Sequence, residues 1–135
     1  MKRNISVICS LITFLIISGC GSGQSSGPSV TPYAGPFPVG DYKPVTSTGI
    51  TSLHFFDDDT FKMLLPGLGE LVIPGTYVVT SDNIVLNEPA GGPCGGFPGT
   101  YTWSFDGETL TLEAVEDDCP NPRAEILTRT WTKQP

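Results

Sequence analysis

The sequence predicts an all-β domain, an eight-stranded antiparallel up-and-down meander barrel carrying one disulfide. Beyond Gly40, apolar residues recur with period two and no stretch carries a helical period. Asp106-Gly107 joins two such alternating runs, and an Asp-Gly pair in that position is the strongest short-range hairpin signal. The runs are short and begin about ten residues apart, the spacing of a sandwich or barrel. Successive tight hairpins select the up-and-down barrel, because Greek keys need long crossing connections.

The first strand is expected over 41–46, opened by Gly40-Asp41-Tyr42. The second, 50–56, sets Thr51, Leu53 and Phe55 on one face, and the third, 60–65, does the same with Phe61, Met63 and Leu65. Between them Asp57-Asp58-Asp59 reads as a turn, since Asp bonds its own backbone two residues on. Strands 71–80 and 83–87 carry Tyr77-Val79 and Ile84-Leu86 around the turn Ser81-Asp82-Asn83. Strands 99–105 and 108–115 alternate Tyr101, Trp103, Phe105 and Leu110, Leu112, Ala114 with polar neighbours. A last strand is expected over 123–132. The apolar-face aromatics Phe55, Phe61, Tyr77, Trp103 and Phe105 either fill the interior or line a small cavity, because eight strands enclose room for one or the other.

Gly40-Asp41-Tyr42 resembles the Gly-x-Trp that opens the first strand of lipocalin-like domains of the calycin group, with Tyr in place of Trp. Arg129 stands where such domains often place an arginine that packs across that aromatic. The resemblance covers about residues 40–133 and implies a lipocalin-like barrel domain over 40–135. Its functional implication is binding of a small apolar ligand.

Upstream of that domain, Met1-Lys2-Arg3 is a basic start followed by an apolar run from Ile5 to Ile17. The run is too short to span a bilayer and reads as a signal peptide over 1–19. Its end, Ile17-Ser18-Gly19-Cys20, resembles the bacterial lipobox, whose cysteine is acylated and becomes the mature N-terminus. That resemblance implies lipidation of Cys20 and a lipid-anchored protein exported to the cell membrane or outer membrane. Residues 20–39, almost all Gly, Ser, Pro and small polar residues, read as a flexible linker.

Formal net charge is −7, with 14 acidic against 7 basic residues, and no basic patch exists to recruit phosphates, so nucleic acid is not an expected partner. Loss of Lys2 and Arg3 with the signal leaves five basic residues and a net charge of −9. Attachment to a membrane then falls to acyl chains rather than to a polybasic segment. Cys9 leaves with the signal and Cys20 carries lipid, so Cys94 and Cys119 most simply form a disulfide in an oxidising compartment. A metal site would need two further ligands, and the single histidine, His54, lies forty residues from Cys94.

No cofactor or metal is expected, and no enzymatic activity. His54 falls out of phase with Leu53 and Phe55, which makes it a surface strand residue rather than a catalytic base, and no Gly-x-Ser-x-Gly elbow exists. The acids gather in turns, where backbone reasons alone favour Asp. Beside the small-ligand expectation stands a second, a protein-binding module such as an envelope protease inhibitor or an assembly partner. In a meander the connections 66–70, 88–98 and 116–122 share one end, which brings Cys94 near Cys119. The expected binding residues are Leu68 and Phe97 in those loops, with Tyr77 and Trp103 lining any cavity beneath.

Overall fold

The computed structural model describes residue 33 and residues 35–46, 52–65 and 71–135. The described residues form eight strands and one short helix: β1 (Gly40–Pro44), β2 (Ser52–Phe55), β3 (Thr60–Leu65), β4 (Leu71–Val79), β5 (Asn83–Asn87), β6 (Gly99–Phe105), β7 (Thr109–Asp117), α1 (Arg123–Leu127) and β8 (Arg129–Lys133). Each strand pairs antiparallel with the next, and β8 returns to β1 to close an eight-stranded up-and-down barrel. The expected Cys94–Cys119 disulfide is present, with Cα atoms 5.2 Å apart.

Period-two alternation sets the register. Phe55 opposes Phe61, Met63 opposes Ile73, and Tyr77 opposes Leu86, so buried side chains meet across each pair. Three tight turns crowd one end. Asp58 Oδ1 accepts from the Thr60 N–H (3.2 Å) and hydroxyl (2.5 Å), and Asp106 Oδ1 accepts from the N–H groups of Glu108 (3.0 Å) and Thr109 (2.6 Å). Gly107 supplies the positive φ (+104°) that the Asp-Gly hairpin requires. The start of β1 and the end of β8 share this end, joined where the Gln134 N–H donates to the Asp41 carbonyl (2.8 Å). The opposite end carries the long connections.

The last strand is shorter than its sequence suggests. Residues 123–127 form α1 instead of extending β8, because Pro120 and Pro122 break the chain just upstream and Arg123 and Leu127, four apart, bury on one helical face. Strand pairing starts only at Arg129, opposite Leu112 of β7. His54 faces outward as expected, paired with Asp41 and stacked on Phe56.

The segment before β1 is also more engaged than its composition implies. Pro38 is buried and its carbonyl accepts from the Tyr42 hydroxyl, while Phe37 packs against the core. Tyr33 sets its ring edge-on against Phe105, with centroids 5.1 Å apart. The folded body therefore begins before Gly40, inside the span read as linker. Within the barrel, inward side chains from every strand form one core that includes Tyr42, Phe55, Phe61, Tyr101 and Trp131. Leu127 of α1 completes it from the loop end, and the Trp131 indole donates to the Leu127 carbonyl (3.2 Å).

Candidate functional site

The loop end is organised around one buried cation. Arg123, 3% exposed, reaches from α1 to the end of β7 and to both ends of the 88–98 loop. Its Nε and Nη2 donate to the two oxygens of Asp117 (2.8 and 2.7 Å), Nη1 pairs with Glu88 Oε1 (3.3 Å), and Nη2 also donates to the Phe97 carbonyl (2.6 Å). The Glu88 and Asp117 side chains are each 1% exposed, so the pairs are out of water. The remaining lone pairs are used: Glu88 Oε2 accepts from the Cys94 N–H (2.9 Å), and Asp117 accepts from the Tyr101 hydroxyl and the Cys119 N–H (3.1 Å). Gly99 makes room for this, since a Cβ there would stand 2.8 Å from both Arg123 and Asp117.

A β-bulge delivers Asp117 to this cluster. Tyr101 opposes Ala114 but Thr100 opposes Glu116, so Val115 is an extra residue in β7. Upstream of it Leu110 and Leu112 point inward, and strict alternation would continue to Ala114 and Glu116. The extra residue shifts the phase by one, which turns Asp117 inward instead. Burial raises the Asp117 carboxyl, yet the hydrogen bonds from Arg123 and Tyr101 outweigh it and hold the group below the usual carboxylate range. Burial lowers the Arg123 guanidinium, and its bond to Asp117 more than restores it, to above the usual arginine value. Burial first, then the bond to Asp117, push the Tyr101 phenol well above its ordinary value.

These groups fix the 88–98 loop from inside. Phe97 is held at both backbone groups, its N–H donating to the Cys94 carbonyl (3.0 Å) and its carbonyl accepting from Arg123. Phe97 nonetheless remains 43% exposed. Cys94, bonded to Cys119, ties the same loop to the segment after β7, and Asn121 Nδ2 donates to the Pro93 carbonyl (2.6 Å). At the base of the loop, Pro74, Thr76, Asn87 and Pro89 wall an open groove of about 290 Å³. Val45, Leu71, Val72 and Val115 are further exposed apolar residues toward this end.

The tight-turn end is a separate place. Phe37 inserts its ring between Phe55 (4.9 Å between centroids), Trp103 (5.2 Å) and Tyr77 (5.5 Å). The Tyr77 hydroxyl donates to the Phe56 carbonyl (2.5 Å), whereas the Trp103 indole N–H is buried and has no hydrogen-bond partner among the described residues. Exposed Asp57, Asp58, Asp59, Asp82 and Asp106 occupy the surrounding turns. Burial, and after it the three turn carboxylates Asp57 to Asp59, raises the Tyr77 phenol.

The expected binding residues therefore do not form one site. Phe97 stands at the loop end as expected, but Tyr77 and Trp103 lie at the tight-turn end rather than beneath the loops. The register decides this: Tyr77 is two residues from the end of β4 and Trp103 two from the end of β6, both next to hairpin turns. Leu68 and Cys20 lie outside the described residues. Sequence reading missed Arg123, Glu88, Asp117 and Phe37. The available signals were two prolines before Arg123, an acid run that breaks the alternation of β7, and a lone aromatic between Pro36 and Pro38. Among the described residues, no group of three or more His, Cys, Asp or Glu is placed to hold a metal ion. Comparison with protein-family models, with curated proteins and with solved structures found no match to this chain.

Proposed function

We propose that this chain is a lipid-anchored envelope lipoprotein whose barrel presents a rigid protein-binding loop. The observation that carries the reading is Phe97, an aromatic ring left in solvent while both of its backbone groups are fixed by Cys94 and the buried Arg123. Pre-ordering an exposed aromatic removes much of the entropy cost of binding, and such residues dominate protein interfaces. Membrane attachment rests on the basic-then-apolar start and the lipobox ending in Cys20. Residues 20–33 reach at most about 45 Å from the anchor. They join the body at the tight-turn end, leaving the loops free to face away from the membrane.

A small apolar ligand beneath the loops has less support, because inward side chains and Leu127 pack on one another there. The test is photocrosslinking in the native host with benzoylphenylalanine placed at Phe97 or, as control, at Val78 on the outer wall. A discrete protein adduct from position 97 and none from 78 is the expected result. Equal adducts from both positions, or none from 97, would reject the reading. Cys20→Ala should release the protein from the membrane fraction or block its processing, and unaltered membrane attachment of that variant would reject the anchor.

A further inference from the structure

We infer that the tight-turn end holds a small-molecule site for a neutral benzene-sized ring bearing a hydrogen-bond acceptor, and that Phe37 is its built-in, displaceable occupant. This site is independent of the loop end. Three aromatic walls, Phe55, Tyr77 and Trp103, surround one ring, and that ring comes from outside the strands. Phe37 is only partly buried and its neighbours Gly35 and Pro36 are exposed. Tyr42 holds the chain at the Pro38 carbonyl, so rotation ahead of that point swings Phe37 out without breaking any strand pairing.

The polar chemistry of the pocket decides the ligand class. Each tyrosine bordering the segment already donates its hydroxyl, Tyr42 to Pro38 and Tyr77 to Phe56. Among the described residues the Trp103 N–H alone is a buried side-chain donor without an acceptor, and a phenyl ring gives it none. An unmet buried donor forfeits the hydrogen bond it had in water, which a ligand oxygen would restore and Phe37 does not. Five exposed aspartates on the adjoining turns set a negative potential at the opening, which disfavours a carboxylate in the same place. The fit is thus to a phenol, or to a ring carrying a carbonyl, rather than to an aromatic acid or a plain hydrocarbon.

The experiment uses 4-methylphenol, toluene and 4-methylbenzoate as probes of the full chain, followed through the two indole N–H resonances assigned with Trp103→Phe. In the wild-type protein 4-methylphenol should move the Trp103 resonance and leave Trp131 in place. Phe37→Ala should bind 4-methylphenol at least tenfold more tightly than wild type, toluene at least fivefold more weakly than 4-methylphenol, and 4-methylbenzoate not measurably. Equal affinity for 4-methylphenol and toluene would overturn the role of the indole N–H. No movement of Trp103 in either protein would overturn the site. If Phe37→Ala does not fold, the wild-type titration decides alone, with a Trp103 shift supporting the site and its absence refuting it.

Discussion

Asp117 and Arg123 are joined by two parallel hydrogen bonds, Nε to Oδ2 at 2.8 Å and Nη2 to Oδ1 at 2.7 Å. The pair links the end of β7 to α1 and sits behind the disulfide loop. Its fork-on-carboxylate geometry explains why an arginine occupies the position. A guanidinium can serve Asp117, Glu88 and the Phe97 carbonyl at once, which a lysine ammonium cannot do in the same plane.

Arg123→Met should cost about 3–5 kcal/mol, because it leaves Asp117 and Glu88 buried without their cation. Arg123→Lys should lose less but stay clearly below wild type. Urea unfolding followed by tryptophan fluorescence measures both. A midpoint for Arg123→Met within error of wild type, at unchanged m, would show that the cluster contributes nothing net.

Acid should loosen this end first. Asp117 is held below the ordinary carboxylate range in the folded protein, so the unfolded chain takes up its proton at a higher pH than the native one. Its stabilisation is complete above the unfolded value and is lost as pH falls through the lowered folded value, a decline that starts near about pH 5. Asp58 and Asp106, lowered by bonds from Thr60 and from the Glu108 and Thr109 amides, titrate in the same direction from exposed turns. Asp117→Asn should be less stable at pH 7 and show a flatter loss between pH 5 and 3. Parallel stability curves for the two proteins would refute the assignment.

Deleting Val115 should remove the bulge and leave the cluster in place. Without the extra residue Glu116 follows Ala114 directly, so Ala114 and Asp117 keep the same inward phase, opposite Tyr101 and Gly99. Stability should fall by less than in Arg123→Met, and adding Arg123→Met to the deletion should cost about as much as it does in the wild-type protein. A loss in the double variant clearly smaller than the sum of the two single losses would show instead that the bulge itself positions Asp117.

Much of the barrel could be read from the chain because period two and turn chemistry are local. Asp57 to Asp59, Asp82-Asn83 and Asp106-Gly107 each mark a hairpin, and the meander they define brings Cys94 and Cys119 to one end. The bulge at Val115 and the inward turn of Asp117 were hidden, since alternation carries no mark of one inserted residue. Helix α1 was hidden because five residues are too few for a helical period to stand out. Phe37 was hidden by its Gly, Ser and Pro neighbours: composition reports the entropy of a segment, whereas docking depended on three rings supplied by β2, β4 and β6.

Replacing Cys94 and Cys119 together with alanine should separate what the disulfide does from what Arg123 does. Closing the intervening loop is worth about 3–4 kcal/mol on chain-entropy grounds, so the global midpoint should fall by a corresponding amount. Locally, the Arg123 bond to the Phe97 carbonyl survives, but residue 94, whose carbonyl accepts from the Phe97 N–H, loses its covalent tether and keeps only its N–H bond to Glu88. Hydrogen exchange at the Phe97 amide should therefore speed up more than the global loss accounts for. The amides of Tyr101 and Leu110, inside the β6–β7 pairing, should track the global change alone. If the Phe97 amide follows Tyr101 and Leu110 instead, the buried ion cluster by itself holds the loop, and reducing conditions would leave the exposed ring presented as before.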